Sequence, residues 1–299
     1  MSRSRTFSVP GPVDLRLTLG PLRCGAGDHR LRLAAREAWR ACHTPEGPAT
    51  LHLRLTTREV AAEAWGPGAG WVLDTAPDLL GASDYPEGFC PTDPVMRSLT
   101  RGLPGLRLTR SLCVYELLVP TILEQKVTSI EARRSFAALL RRYGSPAPGP
   151  AGLWVLPAPE LLAELPYHVF HPLGVERRQA EVLRAVARRA GRLEETTSMS
   201  PAAALRRLLA LPGIGPWTAS TVVNGTLGEG DTVVPGDFHF PNLAAWVLAG
   251  EPRADDARML ELLEPYRGHR GRVMRYVVAS GIRPPKFGPK HRLRDFAAV

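Results

Sequence analysis

The fold is best indicated by one stretch of the sequence, Leu205-Arg-Arg-Leu-Leu-Ala-Leu-Pro-Gly-Ile-Gly-Pro-Trp-Thr-Ala219. Its pattern predicts a helix, a turn through Gly213 and Gly215, and a second helix that begins at Pro216, because proline fits the first helical position. Glycines leave backbone N–H groups uncovered, and with a helix N-terminus such groups form a site for one anion, such as a phosphate of DNA. That site would hold a nucleic-acid backbone without reading its sequence. The alternative is an ordinary helical hairpin.

Two further segments accompany this stretch. Downstream, Val233-Val234-Pro235-Gly236-Asp237 is a Gly/Pro loop that ends in a carboxylate, 20 positions after Trp217. Upstream, Ile122-Leu123-Glu124-Gln125-Lys126-Val127-Thr128 closes an apolar segment. It leads into Thr128-Ser129-Ile130-Glu131, a capping-box pattern that predicts the start of a helix.

In their order and spacing, the three segments resemble the HhH-GPD superfamily of base-excision DNA glycosylases, which is named for the helix–hairpin–helix and the Gly/Pro loop with its aspartate. The chain is similar in particular to the AlkA-type 3-methyladenine DNA glycosylases, over residues 95–283 and more loosely over residues 1–90. The resemblance implies an α+β fold, with an N-terminal antiparallel-sheet α+β domain at 1–90. It also implies an all-helical HhH-GPD domain at 95–283, with a cleft between two helical lobes. A basic tail would follow at 284–299.

The resemblance also implies a function. We expect a monofunctional DNA glycosylase that flips damaged bases, chiefly alkylated purines, out of double-stranded DNA and hydrolyses their N-glycosidic bond. Asp237 would be the catalytic carboxylate, because bond cleavage develops positive charge on the sugar that a nearby carboxylate stabilises. The alternative for Asp237 is that it only caps the helix that follows it, which is a frequent role of aspartate.

Trp217 decides between two reaction types. In relatives that also nick the strand, this hairpin position carries a lysine that forms a Schiff base with the sugar. Tryptophan cannot do so, and we therefore expect base removal without strand cleavage. Lys126 has a side-chain amine, so a Schiff base formed from this different position stays open as an alternative. The indole of Trp217 would either wall the base pocket or belong to the core.

The remaining pocket and DNA-binding candidates follow from the same resemblance. In the resembled family, an aromatic side chain at the position of Thr221 would favour a pocket that stacks on cationic bases. This chain has threonine there. The base-pocket candidates, each of which has packing as its alternative, are Trp217, Phe238, His239 and Tyr276. The DNA-binding candidates are Gln125, Lys126, Gly213, Ile214, Gly215, Thr218, Arg177, Arg178 and Arg270, with Arg267, His269 and Arg272 in the same basic run as Arg270. The carbonyl groups expected to hold a structural Na⁺ or K⁺ at the hairpin are those of Leu209, Leu211 and Ile214.

Composition sets outer bounds on these interpretations. The net charge is +9, and residues 1–100 are neutral, so the whole excess lies in residues 101–299 and favours an anionic partner there. The four cysteines lack the spacing of a zinc site or an iron–sulfur cluster, so we expect no such cofactor. No apolar run predicts a membrane span or a secretion signal, which favours a cytoplasmic, nucleoid-associated monomer.

Periodicity predicts the secondary structure more coarsely. Alternation in residues 13–19 and 51–55 predicts two strands, whereas residues 32–42 between them have a helical pattern. Further helices are predicted at 113–125, 176–190 and 201–210, and around 241–248 and 255–263. Two functional alternatives stay open: a glycosylase for oxidised or mismatched bases, and a non-catalytic protein that binds damaged DNA.

Overall fold

The computed structural model describes residues 2–57, 59–84 and 88–285. Beyond residue 285, the predicted basic tail lies outside the described residues. The strands are β1 (Ser2–Phe7), β2 (Leu31–Leu33), β3 (Glu37–Thr44), β4 (Gly47–Leu55), β5 (Val60–Trp65), β6 (Ser145–Pro146) and β7 (Trp154–Val155). The helices are α1 (Leu15–Leu19), α2 (Ala69–Leu79), α3 (Pro94–Gly102), α4 (Val114–Leu123), α5 (Ser129–Tyr143), α6 (Pro159–Glu164), α7 (Tyr167–Phe170), α8 (Arg177–Ala187), α9 (Ala190–Glu194), α10 (Pro201–Leu209), α11 (Pro216–Leu227), α12 (Phe240–Ala249), α13 (Asp256–Leu263) and α14 (Arg270–Ala279).

An antiparallel sheet forms the N-terminal part, with strand order β1-β5-β4-β3-β2. The predicted strand around Leu51 and Leu53 is confirmed as β4, and both leucines are buried on the face that α2 covers. Together with the helices that follow, this sheet gives the α+β fold that the sequence predicts.

The helix predicted for residues 32–42 is wrong, because this segment forms β2 and β3. Ala38, Arg40 and Cys42 point inward with period two, and Cys42 pairs with Ala49 of β4. The Trp39 ring stacks on His52 of β4 with the ring centroids 3.8 Å apart. Strand pairing and this cross-strand contact therefore outweigh the helical propensity of an Ala- and Arg-rich segment.

The strand predicted for residues 13–19 is also wrong, because the segment contains helix α1. The Asp14 carboxylate accepts hydrogen bonds from the backbone N–H groups of Arg16 and Leu17, at 2.8 and 2.9 Å. Such a cap satisfies donors that a short helix leaves open. Leu15 and Leu19, one helical turn apart, are then both fully buried.

The helical part has two hydrophobic clusters. Helix α4 is buried on nearly every side and lies at the centre of the first cluster, packed against α5, α8 and α11. The second cluster joins α3, α12, α13 and α14 around Met96, Met259 and Val273. The predicted capping box of α5 is confirmed, since Thr128 Oγ1 accepts from Glu131 N while Glu131 Oε2 accepts from Thr128 N.

Buried ion pairs connect the N-terminal part to the helices. Arg30 donates to Asp28 and reaches Glu116 of α4 at 2.7 Å, and all three side chains are buried. Arg272 of α14 forms a second buried pair with Asp84. Within the described ranges, no helix has both the length and the apolar character that crossing a membrane requires.

Candidate active site

Helices α10 and α11 form the hairpin that the sequence predicts. Ser200 caps α10, and the turn between the helices closes through a hydrogen bond from Ile214 N to Leu211 O at 3.0 Å. Gly213 has a φ of +89°, and a Cβ atom there would lie 2.2 Å from Val182 Cγ2. The turn is thus pressed onto α8, and only glycine fits at its closest point.

The hairpin presents free backbone donors. In the part of the chain that the structure describes, the N–H groups of Gly213, Gly215 and Trp217 donate to no protein acceptor. They precede or open helix α11, whose dipole favours negative charge at this end. The arrangement therefore suits one phosphate group.

Gln125 and Thr218 make contacts inside the protein. The Gln125 Nε2 amide donates to the Gly213 carbonyl at 3.0 Å and to Thr218 Oγ1 at 2.9 Å. The Thr218 side chain is buried. These contacts connect the end of α4 to the hairpin, and the DNA contacts predicted for Gln125 and Thr218 stay predictions.

Lys126 lies directly after this tie and is exposed, in a left-handed conformation with a φ of +57°. The buried amide of Gln179 holds the preceding turn by donating to the carbonyls of Leu123 and Gln125, at 3.2 and 3.1 Å. A non-glycine residue with positive φ carries strain that its surroundings must offset. The fold thus holds Lys126 outward beside the hairpin.

The carbonyl groups expected to hold a monovalent cation are partly free. Leu211 O accepts the hydrogen bond from Ile214 N, whereas the carbonyls of Leu209 and Ile214 accept none from the described residues. Backbone carbonyl oxygens without partners suit a hard cation. The residues present therefore fit a Na⁺ or K⁺ ion.

Asp237 is fixed by three hydrogen bonds. Oδ1 accepts from the backbone N–H groups of His239 and Phe240, at 2.8 and 2.9 Å. Oδ2 accepts from the Trp217 indole N–H at 2.9 Å and keeps a second lone pair. The helix-capping role of Asp237 is therefore present, and it leaves part of the carboxylate available for chemistry.

The Asp237–Trp217 contact joins the Gly/Pro loop to the hairpin. Gly236, at a φ of +75°, turns the chain, and its N–H donates to Asp256 Oδ2 at 2.8 Å. Trp217 is half-buried. Because its N–H is used by Asp237, the structure gives Trp217 a part in orienting the carboxylate, which the sequence did not indicate.

A cleft of about 290 Å³ opens beside this pair. Its walls come from α4, α11 and α14 and from the segment after α1, and among the residues that line it are Pro21, Cys24, Glu124, Thr221, Asn224, Phe240 and Arg275. Phe240 and Thr221 connect the cleft to the site, since the first donates its N–H to Asp237 and the second donates its hydroxyl to the Trp217 carbonyl at 2.8 Å.

Glu124 of the cleft wall is electrostatically coupled to the site. Burial raises the pKa of its carboxyl, the nearby Arg133 lowers it, and the charge of Asp237 raises it further. Glu124 and Arg275 were not among the candidates from sequence. Glu124 stands within the upstream segment quoted above, where an acid at the end of an apolar run was the available signal.

The aromatic pocket expected from sequence is not assembled. None of its four candidates lines the cleft. Phe238 is 76% exposed and meets His239 edge-on, and Tyr276 is buried in the second cluster against Phe89 at a centroid distance of 6.1 Å. Trp217 stands beside the cleft in its contact with Asp237.

Most of the basic run at residues 267–272 is engaged in ion pairs within the chain. Arg270 pairs with Asp231 in a two-pronged contact, Arg267 pairs with Glu264, and Arg272 is buried against Asp84. These ion pairs contradict the expectation that Arg270 is free to bind DNA. On α8, Arg177 makes an exposed pair with Glu181 at 3.1 Å, and Arg178 is exposed.

Comparisons with known proteins agree with this architecture. No family model matches the chain. Over 149 residues, 49% of this chain and 30% of the other, it is 30% identical to a Mycobacterium tuberculosis protein named probable bifunctional transcriptional activator/DNA repair enzyme AlkA. Over 168 residues, 56% of this chain and 58% of the other, it is 29% identical to DNA-3-methyladenine glycosylase 2 of Escherichia coli. The matches thus span less than two thirds of the length of these relatives.

A solved structure extends the likeness to nearly the whole chain. The 3-methyladenine DNA glycosylase from Archaeoglobus fulgidus has a TM-score of 0.77 to this chain, covering 92% of this chain and 97% of that one at 18% identity. At this identity the likeness shows a shared fold. The hairpin and the Gly/Pro loop with its aspartate thus stand, within this shared fold, in the order that the resemblance to the HhH-GPD superfamily implies.

Proposed function

We propose that this protein is a monofunctional DNA glycosylase that removes alkylated purines from double-stranded DNA. The observation that carries the proposal is the Asp237 carboxylate, which two N–H groups and the Trp217 indole hold beside the cleft with one lone pair of Oδ2 still open. The names of the relatives from M. tuberculosis and E. coli support a repair enzyme for alkylated bases.

The hairpin would hold the DNA. Its free N–H groups bind one phosphate, and a Na⁺ or K⁺ ion on the carbonyls of Leu209 and Ile214 would supply positive charge at the same place. Lys126 stands next to the hairpin and would enter the gap that the flipped nucleotide leaves. The exposed arginines Arg177 and Arg178 add attraction to the backbone.

The chemistry would then be a dissociative hydrolysis. The bond between C1′ of the sugar and the base nitrogen breaks, and the bonding electrons leave with the base. A cationic alkylated base departs as a neutral molecule, which makes it a good leaving group. Asp237 stabilises the positive charge left on the sugar and orients a water molecule, whose oxygen bonds to C1′ while its proton passes to the carboxylate.

The product would be an abasic site in an intact strand. Trp217 occupies the hairpin position at which a lysine would be needed for a Schiff base, and an indole has no amine to form one. We expect the enzyme to act as a monomer on the DNA of the nucleoid.

The test uses methylated DNA incubated with wild type, Asp237→Asn and Asp14→Asn. Asp14 is the matched control, because its carboxylate also accepts two backbone N–H groups at a helix start but lies outside the cleft lining. Released bases are identified by chromatography, and strand breaks are scored before and after alkali. We expect release of 3-methyladenine or 7-methylguanine by wild type and Asp14→Asn, none by Asp237→Asn, and breaks only after alkali.

Other outcomes would point to the alternatives. Breaks before alkali would contradict the monofunctional reaction and direct attention to Lys126. Release of oxidised or deaminated bases only would change the substrate class. Tight DNA binding with no release of any base, unchanged by Asp237→Asn, would leave a non-catalytic protein that binds damaged DNA.

A further inference from the structure

Glu124 and Arg275 are charged residues on different walls of the cleft, and neither has an ion-pair partner among the described residues. Glu124 comes from the end of α4 and Arg275 from α14. The Glu124 carboxylate accepts no hydrogen bond from the described residues. Glu229, which also lines the cleft, differs in that its Oε1 accepts from Asp231 N at 2.8 Å. Glu124 is therefore an open acceptor on the cleft wall.

Arg275 is the corresponding open donor. One of its guanidinium nitrogens donates to the carbonyl of Leu17 at 2.8 Å, and no carboxylate of the described chain lies within ion-pair distance. Burial alone lowers its pKa to about 10. Its helix neighbours Arg270 and Arg272 both have carboxylate partners. Because Arg275 lines the cleft and its other guanidinium nitrogens bind no described residue, these donors are open to an acceptor on a ligand.

Aromatic stacking contributes little on these walls. Phe240 is the aromatic side chain among the cleft-lining residues of the described chain. Asn224 adds a further polar group: its Nδ2 donates to Thr232 O at 3.1 Å, while its Oδ1 is without a partner in the described residues. Recognition of a base in this cleft must therefore depend mainly on hydrogen bonds.

We propose that Glu124 and Arg275 make the cleft selective for guanine-type bases, such as 7-alkylguanines. The proposal rests on the glycosylase function above. The base edge of guanine carries two N–H donors, at N1 and the 2-amino group, and one carbonyl acceptor, O6. Glu124 accepts from the two donors, and Arg275 donates to O6.

An adenine-type base does not match the two walls. Its N1 is an acceptor and would face the Glu124 carboxylate, and it has no carbonyl oxygen for Arg275. Buried polar groups left without partners discriminate strongly between ligands, because each loses its hydration on binding. The arrangement thus separates alkylated guanines from alkylated adenines.

The test measures kcat/KM for release of 7-methylguanine and of 3-methyladenine from methylated DNA. Glu124→Gln keeps the side-chain shape but replaces one acceptor oxygen by a donor. We expect it to lower the value for 7-methylguanine by about tenfold or more and that for 3-methyladenine by less than about threefold. Glu261→Gln is the control, because Glu261 is an exposed acid of α13 that pairs with Arg258 outside the cleft lining, and both values should stay within about twofold of wild type.

A second pair of variants covers the other wall. Arg275→Met should also lower 7-methylguanine release selectively, and Arg275→Lys should restore part of it. Thermal melting shows whether each variant is folded. Equal losses for both bases, or no loss for either in folded Glu124→Gln, would overturn the selectivity while leaving the glycosylase function intact. A wild type that releases neither base would overturn the proposed function and this selectivity together.

Discussion

At the scale of single residues, the contact between Trp217 and Asp237 relates the structure to the proposed activity. The indole N–H is a neutral donor to a charged acceptor, and such hydrogen bonds contribute about 1.5–3 kcal/mol. It also fixes the direction of the remaining Oδ2 lone pair. The hairpin thus has free backbone N–H groups and also holds the Asp237 carboxylate in place.

Trp217→Phe tests this positioning role. We expect kcat for base release to fall by about tenfold or more, with KM for DNA nearly unchanged, because the lost hydrogen bond acts on the carboxylate and the backbone donors remain. Single-turnover and steady-state kinetics separate the two effects. Trp246→Phe is the control, since Trp246 is half-buried on α12 and makes no side-chain hydrogen bond with a described residue. A rise in KM alone would contradict the positioning role.

Some residues of the site could be predicted from the sequence and others could not. The place of Asp237 after the Gly/Pro loop could be predicted because the loop has a recognisable pattern, while its catalytic role stays a prediction. Arg275 could not, because the sequence favoured its neighbour Tyr276 as an aromatic pocket residue. Consecutive residues on a helix point in different directions, so Tyr276 packs against Phe89 while Arg275 faces the cleft. Which of the two faces inward depends on how α14 packs.

A buried carboxylate at a helix start gives the protein a pH dependence. Glu194 accepts hydrogen bonds from the N–H groups of Val114 and Tyr115, both at 2.8 Å, and so caps α4. Burial raises its pKa to about 7, with a smaller contribution from the charge of Glu116, while the capping bonds and Arg40 lower it. A raised pKa in the folded state means that folding favours the protonated form.

The stabilising contribution of protonated Glu194 is therefore complete below about pH 4.5 and is lost as pH rises through about 7, by at most about 3 kcal/mol. Glu194→Gln does not titrate. We expect its free energy of unfolding, from urea titrations at pH 5 to 8, to fall less steeply with pH than that of wild type. Glu195→Gln, at an exposed neighbouring acid paired with Arg207, should retain the wild-type slope. Parallel curves for all three proteins would refute the assignment.

At the scale of elements, the hairpin depends on one glycine much more than on the other. Gly213 combines a positive φ with a close approach to Val182, whereas Gly215 has a φ of −94°. A Cβ atom at Gly215 would have no atom within 4 Å apart from those of its chain neighbours. The two glycines look equivalent in the sequence. Only the packing of the turn on α8 distinguishes them.

Gly213→Ala should therefore destabilise the protein by about 1–3 kcal/mol, from backbone strain and overpacking against Val182. Gly215→Ala should change stability by less than about 0.5 kcal/mol. Urea unfolding measures both values. Equal effects of the two substitutions would show that the close contact with α8 does not form in solution.

Element prediction succeeded where local signals were strong. The starts of α5, α10 and α11 carry a capping box, a serine cap and a proline at the first helical position, and all three starts are where the sequence places them. It failed for α1 and for β2 and β3. Strand β3 is fixed by its pairing with β2 and β4, and α1 buries Leu15 and Leu19 in the core beside the sheet, both of which are tertiary effects.

At the scale of the whole molecule, the excess of positive charge is less available than composition suggests. Arg30 and Arg272 are buried in ion pairs that connect the N-terminal part to α4 and α14. The N-terminal part is thus joined to the helices through charged contacts. It also lines the cleft through Pro21 and Cys24. Sequence alone could not separate these structural arginines from solvent-exposed ones.

The difference between arginines held in ion pairs and exposed basic side chains predicts how DNA binding responds to salt. Affinity falls with rising salt because each phosphate contact by Lys or Arg releases counterions, and each contact adds about one to the slope of log K against log salt. Removing the exposed Arg178 or Lys126 by substitution with alanine should lower the slope by about one each, with unchanged stability. Arg270→Ala should leave the slope unaltered and instead lower the melting temperature, because its guanidinium is held by Asp231. Fluorescence anisotropy on an undamaged duplex between about 50 and 200 mM salt, with melting curves in parallel, measures both quantities. If Arg270→Ala reduced the slope as much as Arg178→Ala, the ion pair with Asp231 would have to open on binding, and the basic run of α14 would belong to the DNA-binding surface after all.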